Sequence, residues 1–390
     1  MFNRFRPARS FLKGAVAGLA LLGLAACEPT LGGGGPSVNT SAPVPVALLV
    51  PKGSADSGDA VLAQSLENAA RLAIADLSGV QIDLRVYATA GRADVAQQVA
   101  AQAVNEGAKI IIGPLYGEAA NAAGVAVAGK GINVLSFSNN TTIAGGNVFV
   151  LGPTFDNTAN RLMSYASKQG KKRVLTVHAD TVSGQLARNA AHGAIAKTGA
   201  ENVGSVAYQF SQQGVIAAVD QVKSTAATSQ PDALFLTAQT SGALPLFSQL
   251  LPEAGVDPAT TQYIGLTRWD VPAQTLELPG VQGGWFAMPD PGKTQQFQQR
   301  YSQAYGGLPH PVGGLAYDGI AAIGALVKAG KSDALTIGAL TQGAGFQGVN
   351  GIFRLHADGT NERGLAVATI RDKKVVVIDP APTSFGGIGF

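Results

Sequence analysis

The chain is poor in the residues that build covalent staples and metal centres. Among 390 residues there is one cysteine, Cys27, and four histidines, His178, His192, His310 and His356. A single thiol cannot close an intramolecular disulfide, and the histidines lack ligand spacing, so neither a disulfide scaffold nor a metal site is expected. Catalytic punctuation is missing as well: there is no G-x-S-x-G elbow and no P-loop. Residues 343–348, GAGFQG, fit G-x-G-x-x-G, but a strand rather than a helix follows, so they read as a loop leading into the last strands. Ser136 and Ser138 end a strand with no local pattern to supply a base. No catalytic residue and no cofactor are expected.

Long apolar runs are also lacking. The longest, 14–26, has thirteen residues, short of the roughly 20 that span a bilayer. It follows Arg4, Arg6, Arg9 and Lys13 and ends in Leu24-Ala25-Ala26-Cys27. A basic start, a short apolar run and small residues describe a secretory signal over 1–26. The ending resembles the lipobox of bacterial lipoproteins. That resemblance implies acylation of Cys27 and a periplasmic, membrane-anchored lipoprotein, with either membrane open. The alternative is a buried cysteine after an uncleaved helix. Loss of the signal would remove four basic residues and no acid. The formal charge of +3 then becomes −1, with 24 basic and 25 acidic residues. No nucleic-acid footprint remains.

What is present is alternation. Residues 27–43 are rich in Gly, Pro, Ser and Thr and read as a flexible tether. From Val44 onward, short apolar runs alternate with stretches of helical spacing. VPVALLV (44–50), VQIDLRVYA (80–88), AKIIIGP (108–114) and INVLSFS (132–138) read as strands. Helices are expected over 59–77, around Val95, Val99 and Ala103, and near 121–128. The pattern restarts with KRVLTVHAD (172–180), NVGSVAYQF (202–210), PDALFLTAQ (231–239) and TQYIGL (261–266). Helices are expected between them over 185–197, 214–224 and 243–251, and then over 294–305 and 314–329. The tail from 351 to 380 reads as antiparallel strands, with turns at Asp358-Gly359 and Asp372-Lys373. Strands alternating with helices predict parallel sheets covered on both faces, in two α/β domains.

In such sheets ligands sit outside the carboxyl ends of the strands, where helices begin. The loops there are GPLYGEAAN, SFSNNTT, HADTVSGQ, AQTSGA and GLTRWD. Residues 108–140, followed by 148–184, resemble the type I periplasmic solute-binding proteins of the leucine/isoleucine/valine-binding group, in order over nearly all of 44–380. The resemblance implies α/β architecture with two Rossmann-like lobes, parallel sheets joined by three crossings, and hinge closure on a ligand. The expected partition is lobe one from 44–152 plus 290–342, lobe two from 153–289 plus 343–380, and a tail at 381–390.

Carried over by position, Tyr116, Gly117 and Glu118 occupy the loop that receives a ligand carboxylate in that family. Asn139, Asn140 and Thr141 occupy the loop that contacts carboxylate and ammonium. Asn139 and Asn140 are also good turn formers. Ser183 stands where the family often has an aromatic residue, and Gln239 lies in the third loop of the second lobe. Where the family places an acidic ammonium partner, this chain has Thr267-Arg268-Trp269-Asp270. Arg268 is either an anion clamp or a surface cation, and Trp269 either a stacking wall or a core aromatic. A cationic Arg268 favours an anionic or sugar-like ligand unless Asp270 offsets it. A second resemblance, carried by TRWD, GGWFAMPDP, LAYDGIAAIGAL and residues 345–370, is to penicillin-binding-protein activator lipoproteins. Those carry a further helical-repeat domain where this sequence has a tether. The two resemblances imply different partners, an ABC permease for a small polar ligand or a peptidoglycan synthase.

Overall fold

The computed structural model describes residues 35–386. The signal 1–26, Cys27, the first part of the tether and the last four tail residues lie outside the described residues. Two parallel sheets dominate. The first is built from β1 (Val44–Val50), β2 (Ile82–Ala88), β3 (Ile110–Ile112), β4 (Val134–Ser136) and β5 (Val148–Val150), in the order β2-β1-β3-β4-β5. All its pairings are parallel. Its helices are α1 (Ser57–Asp76), α2 (Ala93–Asn105) and α3 (Gly117–Ala128).

β1 shows why the helices lie on both faces. Successive side chains of a strand point to opposite sides. Val46, Leu48 and Val50 enter the core beneath α1, while Ala47 and Leu49 pack with Ala100 and Ala103 of α2 and Ala123 and Val127 of α3. Fully burying each leucine contributes about 1.5–3 kcal/mol.

The second sheet follows α4 (Phe155–Lys168). Its parallel strands are β6 (Arg173–Ala179), β7 (Glu201–Tyr208), β8 (Ala233–Leu236), β9 (Gln262–Gly265) and β10 (Trp285–Met288), wrapped by α5 (Val182–Lys197), α6 (Gln212–Ser229) and α7 (Leu244–Glu253). The helices start at side-chain caps: Thr181 accepts from the Gly184 N–H, and Ser211 from the Gly214 N–H. β8 repeats the division seen in β1, with Ala233 and Phe235 facing α4 and α5, and Leu234 and Leu236 facing α6 and α7.

The chain then returns to the first lobe. α8 (Pro291–Tyr305) and α9 (Gly314–Lys328) pack on α1, with Phe297, Tyr301, Ile320 and Ile323 in its core. A small antiparallel sheet follows, of β11 (Phe346–Gly348), β12 (Gly351–Leu355) and β13 (Asn361–Arg363). The partition read from sequence gave 343–380 to the second lobe. Phe346, Phe353 and Leu355 instead join the core beneath α1 and α9, because their alternating apolar face needs that cover. The last passage between lobes is therefore at 364–365. β14 (Ala366–Arg371) and β15 (Lys374–Asp379) then close the second sheet antiparallel, in the order β15-β14-β10-β9-β8-β6-β7. Asp372 and Lys373, both at positive φ, form the hairpin turn between them.

The first and last passages are tied together. Asn361 donates to the carbonyls of Val150 and Gly152, and Asn157 donates to the carbonyl of Asn361. Arg363 donates to the Leu151 carbonyl and pairs with Asp318 of α9 at 3.0 Å, both side chains being buried. Burial pushes the Asp318 carboxyl up, against the pull of Arg363.

Some short elements, and one helix, were not read from sequence. β5 and β11 have three residues each and β10 has four, too few for alternation to register. α4 opens with a capping box of Thr154 and Asn157, in place of the usual Glu or Gln partner.

Candidate functional site

Chain direction decides where the loops gather. The first passage leaves sheet one beyond the carboxyl end of β5, and the second leaves sheet two beyond the carboxyl end of β10. Both sheets therefore present the carboxyl ends of their parallel strands towards the connecting segments. The loops after those strands form two rims.

In lobe one the GP turn after β3 depends on Gly113. It has φ +84°, and a Cβ there would lie 2.3 Å from the Leu49 carbonyl oxygen. That turn delivers Tyr116 and Gly117 to the start of α3. Gly117 meets the next loop: its Cβ, if present, would lie 3.3 Å from Asn140 Nδ2 and 3.7 Å from Asn140 Cβ. The two loops singled out from sequence are thus brought together. Asn140 Oδ1 also accepts from the Thr142 N–H and hydroxyl at 3.0 and 2.8 Å, capping the short turn Thr141–Ile143. Asn139, Asn140 and Glu118 are exposed, and Thr141 is half-buried.

Tyr116, 38% exposed, reaches back to α1 and donates its hydroxyl to Asp59 Oδ1 at 2.5 Å. That hydrogen bond, helped by burial, pushes the phenol up to about 12, so it stays a donor. Asp59 was not singled out from sequence. The available signal was a carboxylate in the first turn of the helix that follows β1.

The second rim is different. Ser183 and Gln239 are exposed. Arg268 is paired with Asp270, Nε to Oδ1 at 2.7 Å and Nη2 to Oδ2. Its charge is offset within its own loop, so it is not an unopposed clamp. Trp269 is not a wall of the rim: it is fully buried in the core shared with Phe247 and Phe286. Gly265 and Gly284 make the room for it, since a Cβ on either would come within 2.3 Å of the indole.

Beside these polar residues the second rim also exposes apolar ones. Val182 is 78% exposed, Phe210 69% and Val271 54%, at the loops after β6, β7 and β9. The loop after β8 touches the last two of them. Phe210 lies against Gly242, and Thr240 Oγ1 donates to the Val271 carbonyl at 2.8 Å. Sequence reading sought polar contacts and passed over them.

A separate groove of about 1020 Å³ runs along the outer side of α4 beside the lobe passages. It includes Asn157, Arg161, Asn361 and Asp379, and of the residues singled out from sequence only Thr141 reaches it. Arg161 is held by Asp379 at 2.7 Å and by the Leu365 carbonyl. The rims, where strand ends and helix starts converge, are the better candidate. Among the described residues no three His, Cys, Asp or Glu side chains gather as a metal would require, and no helix is long and apolar enough to cross a membrane.

The sequence profile of the periplasmic binding protein family matches residues 43–374. Solved structures share the architecture. A branched-chain amino acid ABC transporter periplasmic ligand-binding protein from Burkholderia xenovorans is 18% identical, with a TM-score of 0.67 over 88% of this chain and 97% of that one. An ABC transporter substrate-binding protein from Desulfitobacterium hafniense in complex with Leu is 18% identical, with a TM-score of 0.62 over 86% and 100%. A solute-binding protein of an ABC transporter from Rhodopseudomonas palustris, in complex with 3,4-dihydroxybenzoic acid, is 20% identical, with a TM-score of 0.59 over 89% and 99%. No curated protein sequence matches significantly.

Proposed function

This chain belongs to the periplasmic binding protein family, and from that premise we propose that it is an extracytoplasmic lipoprotein, anchored through Cys27, that binds a small solute between its two rims and presents it to an ABC permease. The observation that carries this reading is the meeting of Gly117 with Asn140 at the carboxyl edge of a parallel sheet. Two loops far apart in sequence are brought into contact where such sheets receive ligands. Structural relatives hold leucine and an aromatic acid, and the exposed Phe210 and Val271 suit a solute with an apolar body. The role is binding without turnover. Its hinge is the set of three passages, with the Asp318–Arg363 pair beside them.

The test is a thermal-shift and calorimetric screen of the full-length chain, in detergent, against amino acids, aromatic acids, amines and sugars. A binder whose affinity falls at least tenfold in Asn140→Ala supports the reading. Mass spectrometry of the protein extracted from its envelope is expected to show an acylated Cys27 as the first residue. Co-purification of a peptidoglycan synthase, with no solute bound, would replace the reading with that of a cell-wall regulator.

A further inference from the structure

The rim of lobe one carries a charge for which the hydrogen-bond network has no use. Asp59 is only 4% exposed. One carboxylate oxygen is taken by Tyr116, and Oδ2 is buried with no hydrogen-bond partner among the described residues. Burying an unpaired carboxylate oxygen is costly. Asp59 does not complete a capping box, because the Asp56 N–H is taken by Ser54 Oγ and the α1 cap is Asp56 itself.

Next to Oδ2 is a space that a side chain would fill. Gly91, at φ +69°, leaves a niche in which an added Cβ would lie 3.3 Å from the Tyr116 ring, 3.4 Å from Asp59 Oδ2 and 3.4 Å from Ser54 Oγ. A group approaching this bare α-carbon meets a carboxylate oxygen, a hydroxyl oxygen and a ring carbon. The surrounding charge has the same sign. Asp56 lies close enough to Tyr116 to help raise its pKa, and Glu118 is exposed at the start of α3. Of the nearby cations, Arg92 is paired with Asp94 at 2.5 Å, and Lys52 is exposed and makes no salt bridge to Asp59. A ligand carboxylate in this niche would face Asp59 without a counter-charge, whereas a protonated amine would supply the missing donor and cancel the charge.

We propose that the solute carries a protonated amine, and that Asp59, held by Tyr116, binds it in the niche over Gly91. This rests on the solute-binding reading and fixes the chemical class of ligand within it. It reverses the sign expected from Arg268, whose charge Asp270 already offsets, and leaves the apolar side chains of the second rim, Phe210 and Val271, to hold the body of the ligand.

The experiment titrates the full-length chain calorimetrically with matched pairs: benzylamine and benzoate, isoamylamine and isovalerate, leucinamide and leucine. The amine of at least one pair is expected to bind tenfold or more tightly than its carboxyl-bearing partner. Asp59→Asn should lower that affinity ten- to a hundredfold and remove the preference. It should also raise the melting temperature of the free protein, because the unpaired buried charge is gone. Gly91→Ala, which fills the niche and leaves the carboxylate, should weaken the amine similarly, and it decides the matter if Asp59→Asn does not fold. Tighter binding of the carboxyl-bearing member, unchanged in Asp59→Asn, overturns amine selectivity and leaves solute binding standing. Failure of every pair to bind, when a sugar binds in the wider screen, overturns the amine alone, and failure of that whole screen overturns both.

Discussion

The two rims occupy equivalent places on two similar sheets, yet they offer opposite chemistry. Lobe one presents Tyr116, Asn139 and Asn140 around a buried carboxylate with an oxygen to spare. Lobe two presents Phe210, Val182 and Val271 beside exposed Asp180, Ser183 and Gln239, and its Arg268 is paired with Asp270. The backbone architecture supplies the position of a binding surface, and the short loops supply its character. A ligand held between the rims would be gripped by its polar head in one lobe and by its apolar body in the other.

That contrast requires both rims to hang from one intact hinge, so the most damaging change is at the passages. Arg363→Ala leaves Asp318 buried without its partner and removes the donors to the Leu151 carbonyl. Its expected cost is about 3–5 kcal/mol in urea unfolding. Trp269→Ala, which cuts into the second-lobe core, should cost about 3–5 kcal/mol too while leaving ligand selectivity unchanged. A selective loss of binding with normal stability would return Trp269 to the rim. Phe210→Ser is expected to alter stability by no more than about 0.5 kcal/mol but to weaken an apolar ligand severalfold by titration, sharpening the contrast between rims. Arg268→Gln breaks a half-exposed pair and should cost under about 1 kcal/mol, with no loss of ligand affinity.

The smallest expected effect is a pH dependence confined to lobe one. Burial pushes the Asp76 carboxyl up, but hydrogen bonds from Arg300 and Tyr317 outweigh it and hold the group below the ordinary aspartate range. A depressed folded-state pKa contributes stability that is present above the unfolded value, about 4, and is lost as pH falls through the folded value. Unfolding midpoints measured between pH 7 and pH 3 should show this decline on the acid side, and Asp76→Asn should flatten it.

Much of the fold was legible because it obeys local periodicity. VPVALLV announces a buried strand by composition, and it lies at 44–50 as expected. The restart at 172 marks a second α/β unit, and β6 begins at Arg173. The candidate site was legible only in part. Gly117 and Asn140 were placed by loop position, and the fold brings them together. Trp269 misled because TRWD reads as a rim loop, and nothing local reveals that Gly265 and Gly284 open a hole for the indole. Asp59 was invisible for the complementary reason: its significance is the partner its second oxygen does not have.

By itself, the sequence determined most of the run of strands and helices, the places where loops must fall, and the exclusion of an intramolecular disulfide, because each depends on neighbours along the chain or on a simple count. Only the tertiary structure decided which loop charges are already spent and which are free. Arg268 and Asp270 cancel each other within three residues, whereas Asp59, Gly91 and Tyr116 come together from three separate strand ends. Electrostatic character is a sum over neighbours in space, and the chain order does not list them.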